Sequence, residues 1–128
     1  MTKKIGKYFT QDELKCKCGC GALNLADGFA NKLEDLRIKF GKPMIVNSCC
    51  RCDNNNIMAG GAKGSYHRIT NEISQGTCAI DIKRQSYEYD SALISLALNE
   101  GWSLGLAKTF IHLDRRSDYG QPNVIYIY

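Results

Sequence analysis

At 128 residues the chain is sized for one domain, long enough to bury about two-thirds of its unfolded surface without help from disulfides or metal. Its 44% apolar and 23% charged residues are those of an ordinary globular protein, which excludes a disordered or low-complexity chain. No window approaches the ~18 apolar residues of a membrane span, and a net charge of +4 favours an anionic partner without naming one.

The N-terminal stretch "MTKKIGKYFTQDEL" is basic but lacks the apolar core of a secretory signal. The expectation is a chain made in the cytoplasm that acts elsewhere only after release by another route. "FTQDEL" starts a helix: Thr10 is placed as N-cap, Glu13 three residues on completes a capping box, and Phe9 with Leu14 forms a hydrophobic staple. "CKCGCG" ends that helix early. From Asp27 the spacing of Phe29, Leu33, Leu36 and Phe40 predicts an amphipathic helix that Gly41 and Pro43 stop. "PMIVNS" predicts a short buried strand, and "RCDNNNIMAGGAKGS", rich in Asn and Gly, a loop. "TCAIDIK" alternates, with Cys78, Ile80 and Ile82 on one face and Ala79, Asp81 and Lys83 on the other. Ser86 to Asn99 reads as a helix closed by Gly101, with Tyr89, Leu93, Leu96 and Ala97 toward the core. "KTFIHLD" sets Phe110, His112 and Asp114 on one strand face, and "NVIYIY" is a last strand. Helices and strands mix without a βαβ repeat, so the expected class is α+β, a small antiparallel sheet flanked by helices, as one domain over residues 1–128.

An aspartate in the middle of the apolar run "CAIDI" asks for a reason. If that strand neighbours "FIHLD", Asp81 and His112 project from the same face, and His67, in the loop feeding the first strand, can close the set. Two imidazoles and one carboxylate with a fourth position left to water is the layout of a catalytic zinc site, a chemistry suited to hydrolysis. Asp114 shares the face of His112. It can serve as the general base or orient a ligand as a supporting carboxylate.

The ordered series "KPMIVNSCCRCDNNNIMAGGAKGSYH", "CAIDI" and "FIHLD" resembles the zinc D-Ala-D-Ala carboxypeptidase and L-alanyl-D-glutamate endopeptidase family, which includes phage endolysins and shares a zinc-site fold with the Hedgehog signalling domain. Matching pieces are Ser48 to Arg51, Asn56, Gly60 and Gly61, Ser65 with His67, Ala79 with Asp81, and His112 with Asp114. "FTQDELKCKCGCG" is similar to the segment that precedes the core in phage-type members, so residues 1–24 are expected to pack on the core as a Cys-rich N-terminal segment. The resemblance implies a zinc metallopeptidase of the bacteriophage endolysin type. Its metal ligands would be His67, Asp81 and His112, with Arg51 holding a substrate carboxylate or developing oxyanion and Ser65 supporting the site by a hydrogen bond. It implies a monomer that degrades peptidoglycan, an anionic cell-wall polymer, at the bacterial wall. The bond would be L-alanyl–D-glutamate, with D-Ala–D-Ala as the alternative. A non-catalytic zinc-holding binding module of the same fold is the second class of reading. Four departures stand out. Cys49 and Cys50 occupy the Gly-Tyr positions of the family's Ser-Gly-Tyr-Arg. His67 and Asp81 lie fourteen positions apart, about twice the family's spacing, so residues 68–77 look inserted. Thr77 occupies a glycine position, and Thr109 stands where many relatives carry an acidic base.

Seven cysteines without a signal peptide do not suggest a purely secreted disulfide framework. Cys16, Cys18 and Cys20 form one cluster and Cys49, Cys50 and Cys52 another. Two readings stay open: a second, structural zinc site, or disulfides tying the N-terminal segment to the loop bearing Arg51. Cys78 is expected to be a plain core residue. A Cys-cluster zinc protein binding nucleic acid is a third class, but no RNA-binding motif accompanies Trp102 and the tyrosines, so no nucleic-acid partner is expected.

Overall fold

The computed structural model describes residues 3–128; Met1 and Thr2 of the expected N-terminal segment lie outside the described residues. Two short ribbons, β1 (Lys4–Ile5) and β2 (Phe9–Thr10), pair antiparallel and lead into a one-turn helix α1 (Gln11–Leu14). The capping box is present in full: the Thr10 hydroxyl accepts from the Glu13 amide while the Glu13 carboxylate accepts from the Thr10 amide. Helix α2 (Phe29–Phe40) buries the four predicted residues, and Gly41, in the left-handed conformation that only glycine adopts without cost, ends it.

The central sheet has five strands in the order β3 (Val46–Ser48), β4 (Ala79–Lys83), β6 (Phe110–Asp114), β5 (Ser103–Leu106), β7 (Ile125–Ile127). It is antiparallel except at one edge, where β7 runs parallel to β5. Helix α4 (Tyr87–Asn99), capped by the Ser86 hydroxyl, connects β4 to β5 and packs against α2 and β5. One contiguous core joins Phe9 and Leu14 of the N-terminal segment to Leu33 and Leu36 of α2, Leu93 of α4, and Ile80, Ile82, Ile111 and Leu113 of the sheet. Burial of such side chains, at about 1.5–3 kcal/mol each, is the main stabilising contribution. Among the described residues no helix is long and apolar enough to cross a membrane.

Several elements differ from expectation, the β1–β2 ribbon and a 3-10 turn at Arg116–Tyr119 among them. β3 is not buried but an edge strand with Asn47 exposed, because it has a partner on one side only. The Asn-rich "loop" contains helix α3 (Asp53–Met58): the Cys52 sulfur caps its start by accepting from the Asn55 amide, and the Asp53 carboxylate sits favourably in the first turn. Strand β5 was not expected at all, since its four residues include Gly105 and follow directly on a helix stop.

Candidate metal centre and cleft

One row of residues crosses the whole sheet. Ser48 of β3 pairs with Asp81 of β4, Asp81 with His112 of β6, His112 with Gly105 of β5, and Gly105 with Tyr126 of β7. Period-two alternation puts these residues on the face opposite the hydrophobic core. The aspartate in "CAIDI" therefore points to the same side as the histidine of its neighbour, and Ile80, Ile82, Ile111 and Leu113 can fill the core without conflict.

His67 arrives from the loop. Its carbonyl accepts from the Arg51 amide at 2.8 Å and from the Thr77 hydroxyl at 2.9 Å, and the Ser65 hydroxyl accepts from its amide at 3.2 Å. Thr77, at the position expected to be glycine, thus ties the start of β4 to the histidine. The 68–77 segment folds back on itself as a compact loop. The Asn71 side-chain oxygen accepts from the amides of Ile73 and Ser74, and its amide group donates to the carbonyls of Gly64 and Ser65. Longer spacing leaves His67 in place because the extra residues are absorbed by this turn.

Three donor atoms converge. His67 Nε2 lies 3.0 Å from Asp81 Oδ1 and 3.2 Å from His112 Nδ1, and His112 Nδ1 is 3.0 Å from Asp81 Oδ1. All three residues are buried. The outer nitrogens fix the tautomers: His67 Nδ1 faces the Cys49 carbonyl at 2.8 Å and His112 Nε2 faces the Asp114 carboxylate at 2.8 Å. Both partners are acceptors, so each outer nitrogen carries the proton and each inner nitrogen presents a lone pair. Two lone pairs and a carboxylate oxygen at such separations repel unless a cation sits among them. Zinc ligands at about 2.0–2.1 Å stand about 3.3 Å apart in a tetrahedron. The donor set fits a zinc ion in type, separation and outer support.

Charge agrees with that fit. Burial alone would raise the Asp81 carboxyl, but His67 and His112 outweigh it and hold the group below the usual carboxylate range. Burial lowers the His67 imidazole. For His112 burial also acts downward, but the Asp114 hydrogen bond and Asp81 reverse it and raise the group.

Asp114 is fully buried, with both oxygens engaged. Oδ2 accepts from His112 Nε2 and, at 2.7 Å, from Arg116 Nη2; Oδ1 accepts from the Arg116 amide at 3.0 Å and Arg116 Nε at 2.9 Å. It lies behind the His112 ring, away from the three donor atoms. Arg51 is half-buried beside them. Its guanidinium donates to Ser48 Oγ at 3.0 Å, Asn56 Oδ1 at 3.4 Å and Asp81 Oδ2 at 3.3 Å. Two of its five N–H groups remain for another partner.

The centre opens into a cleft of about 690 Å³ bordered by Arg51, Ser65, His112, Arg116, Tyr126 and Tyr128. Among the described residues no Asp or Glu side chain lines it. Glu72 and Thr109 are exposed elsewhere. Three contributors were given no individual role from the sequence. Asn56, buried, locks Arg51 to the Ala62 carbonyl; its place in the Asn-rich stretch gave a motif but no role. Arg116 clamps Asp114 and stacks over Tyr66 at 4.7 Å, and it follows "HLDR" with no periodic signal. Tyr126 tilts against His112, with ring centroids 5.9 Å apart.

The cysteines divide differently from the two sequence clusters. Cys49 and Cys50 are completely buried core residues, as is Cys78, and their side chains do not join the others. Cys16, Cys18, Cys20 and Cys52 gather at one point. Trp102 is buried edge-on to Phe29 at 5.9 Å.

Comparison with known proteins adds one positive finding: the sequence profile of the family described as peptidase M15 matches residues 7–114. No curated protein and no solved structure matches the chain. The profile spans the capping box, the cysteine clusters, the Arg51 segment and all three converging donors. The chain therefore belongs to the peptidase M15 family of zinc-dependent metallopeptidases.

Proposed function

We propose that the protein is a zinc-dependent peptidase of the phage endolysin type, acting at the bacterial cell wall as a monomer to hydrolyse the L-alanyl–D-glutamate bond of peptidoglycan stem peptides. The observation that carries the reading is the convergence of His67 Nε2, Asp81 Oδ1 and His112 Nδ1, each backed by a partner, at the foot of an open cleft. Bound there, zinc supplies Lewis acidity and activates water for hydrolysis.

The chain's own residues have distinct tasks. His67, Asp81 and His112 hold the metal. Asp114 keeps the His112 ring in the tautomer whose Nδ1 faces inward, and Arg116 keeps Asp114 ionised in its buried position. Both Asp114 oxygens are committed to these contacts, which supports an orienting task over that of general base. Arg51 steadies Asp81 with one N–H and has two left to bind a stem-peptide carboxylate or a developing oxyanion. The Ser65 hydroxyl holds the His67 loop by accepting from the His67 amide. Arg51 and Arg116 on the cleft, with the net charge of +4, suit an anionic wall polymer.

The D-Ala–D-Ala bond is the alternative target of the same groups. A second class of reading is a zinc-holding module that binds wall peptide without cutting it, favoured by one observation: among the described residues no Asp or Glu side chain lines the cleft to relay a proton. Mass spectrometry of muropeptides after incubation with the zinc-loaded protein tests all three. New L-alanine C-termini support the endopeptidase, and released D-alanine supports the carboxypeptidase. Intact muropeptides that co-sediment with the protein would leave only the binding module.

A further inference from the structure

We infer that Cys16, Cys18, Cys20 and Cys52 form a second, structural metal site for zinc, independent of the His67–Asp81–His112 centre. The four ligand sulfurs lie within 4.8 Å of one another. Measured pairs are 3.4 Å for Cys16–Cys18, 3.7 Å for Cys16–Cys52 and 3.6 Å for Cys18–Cys52. Thiolates at about 2.3 Å from a tetrahedral zinc stand about 3.8 Å apart, close to these values.

The backbone is shaped for this. "CKCGC" lacks the spacing of a zinc ribbon, yet Gly19 and Gly21 take φ of 99° and 71°, a region in which other residues are strained. These two reversals wrap the segment so that three sulfurs from five residues face one point. The fourth comes from the start of α3, thirty-two positions beyond Cys20.

Nitrogen donors surround the sulfurs. The Cys52 amide approaches Cys16 Sγ at 3.5 Å, the Asn55 side chain the same sulfur at 3.2 Å, the Asn55 amide Cys52 Sγ at 3.4 Å, and the Ala22 amide Cys20 Sγ at 3.4 Å. Such N–H groups stabilise thiolate over thiol and fix ligand orientation, as outer-shell partners of metal sites do. Zinc uptake releases the thiol protons and leaves four Zn–S bonds. Cys49, Cys50 and Cys78 are buried in the core and take no part.

The site clamps two segments that matter to the cleft. Cys52 follows Arg51 and caps the helix bearing Asn56, which holds the Arg51 guanidinium. Beside the sulfurs the two segments also meet through the Cys50 amide, which donates to the Leu14 carbonyl at 3.0 Å. A metal here fastens the N-terminal segment to the base of Arg51.

The test uses the full chain expressed with zinc and purified under nitrogen. Elemental analysis should give two zinc per wild-type chain, one in His112→Ala, and one in Cys18→Ser/Cys20→Ser. Both cysteines of that double variant are exposed, so its fold should survive, as circular dichroism will report. Cobalt replacement gives a second readout: sulfur-to-cobalt charge-transfer absorption should be present in wild type, persist in His112→Ala and vanish in the double variant. A mercurial titration of wild type should release one zinc as the thiols are modified. Cobalt-loaded wild type without charge-transfer absorption, undiminished zinc in a folded double variant, or a disulfide joining any two of the four cysteines would each overturn the assignment.

Discussion

Asp81 and His112 face each other directly across β4 and β6, with Asp81 Oδ1 and His112 Nδ1 3.0 Å apart on the face away from the core. An acid and an imidazole at matching positions of two central strands occupy sites where an apolar pair would pack at no desolvation cost. Their retention there is accounted for by the cation that they and His67 can hold. Alanine at His67, Asp81 or His112 should therefore remove that zinc and abolish the proposed wall hydrolysis. The check is zinc content, with the cysteine site reported separately by cobalt absorption. Full occupancy of the non-sulfur site in His112→Ala would discard the ligand assignment.

Asp114→Asn separates orienting from proton relay. The amide is similar in shape but lacks the charge that both His112 Nε2 and Arg116 meet. Losing a carboxylate behind a metal-bound histidine costs about 10–100-fold in metal affinity. The expected outcome is a fall of that size in zinc affinity, with turnover at saturating zinc much less affected. Intact affinity with turnover down about 10²–10⁴-fold would instead make Asp114 the base.

Arg51→Lys asks what the guanidinium contributes. A single ammonium cannot reach Ser48, Asn56 and Asp81 at once and still offer donors to substrate. Zinc should be retained, while kcat/KM falls roughly 10–100-fold, the worth of a charge-assisted hydrogen bond or two. Unchanged hydrolysis would reduce Arg51 to a structural prop for Asp81.

Much of this was legible in the sequence, for physical reasons. Capping chemistry at Thr10 and Glu13 is local, so helix α1 could be read residue by residue. The two-residue period placed Asp81 and His112 on defined faces, and their pairing needed only that β4 and β6 be neighbours. Less local features were hidden. Helix α3 is capped by a cysteine sulfur, a weaker capping signal than Ser or Asp, and its Asn run favours turns in isolation. Strand β5 exists because β6 and β7 flank it, not because "SLGL" prefers to extend. The outer partners, Asn56 and Arg116, act through tertiary contacts that no spacing rule anticipates.

Gly105 supplies a prediction about the cleft wall. It lies between His112 and Tyr126 in the row across the sheet, and an added Cβ would sit 2.6 Å from the Tyr126 ring carbon Cζ. The atoms met are the far end of a half-buried side chain, not backbone, so the ring can swing away. Gly105 is outside the left-handed region, which lets alanine adopt its backbone, and the loss of unfolded-state freedom contributes about 0.4–1 kcal/mol in favour of folding. Gly105→Ala should consequently change stability by less than about 1 kcal/mol and leave zinc content intact. Tyr126, displaced from the neighbourhood of His112, should no longer wall the cleft, so KM for wall peptide should rise several-fold. Tyr126→Leu should have a similar effect, and the double variant should be little worse than either, because both changes remove the same wall. Additive losses in the double variant, or a Gly105→Ala enzyme with unaltered KM, would show that the ring's position against His112 is irrelevant to substrate.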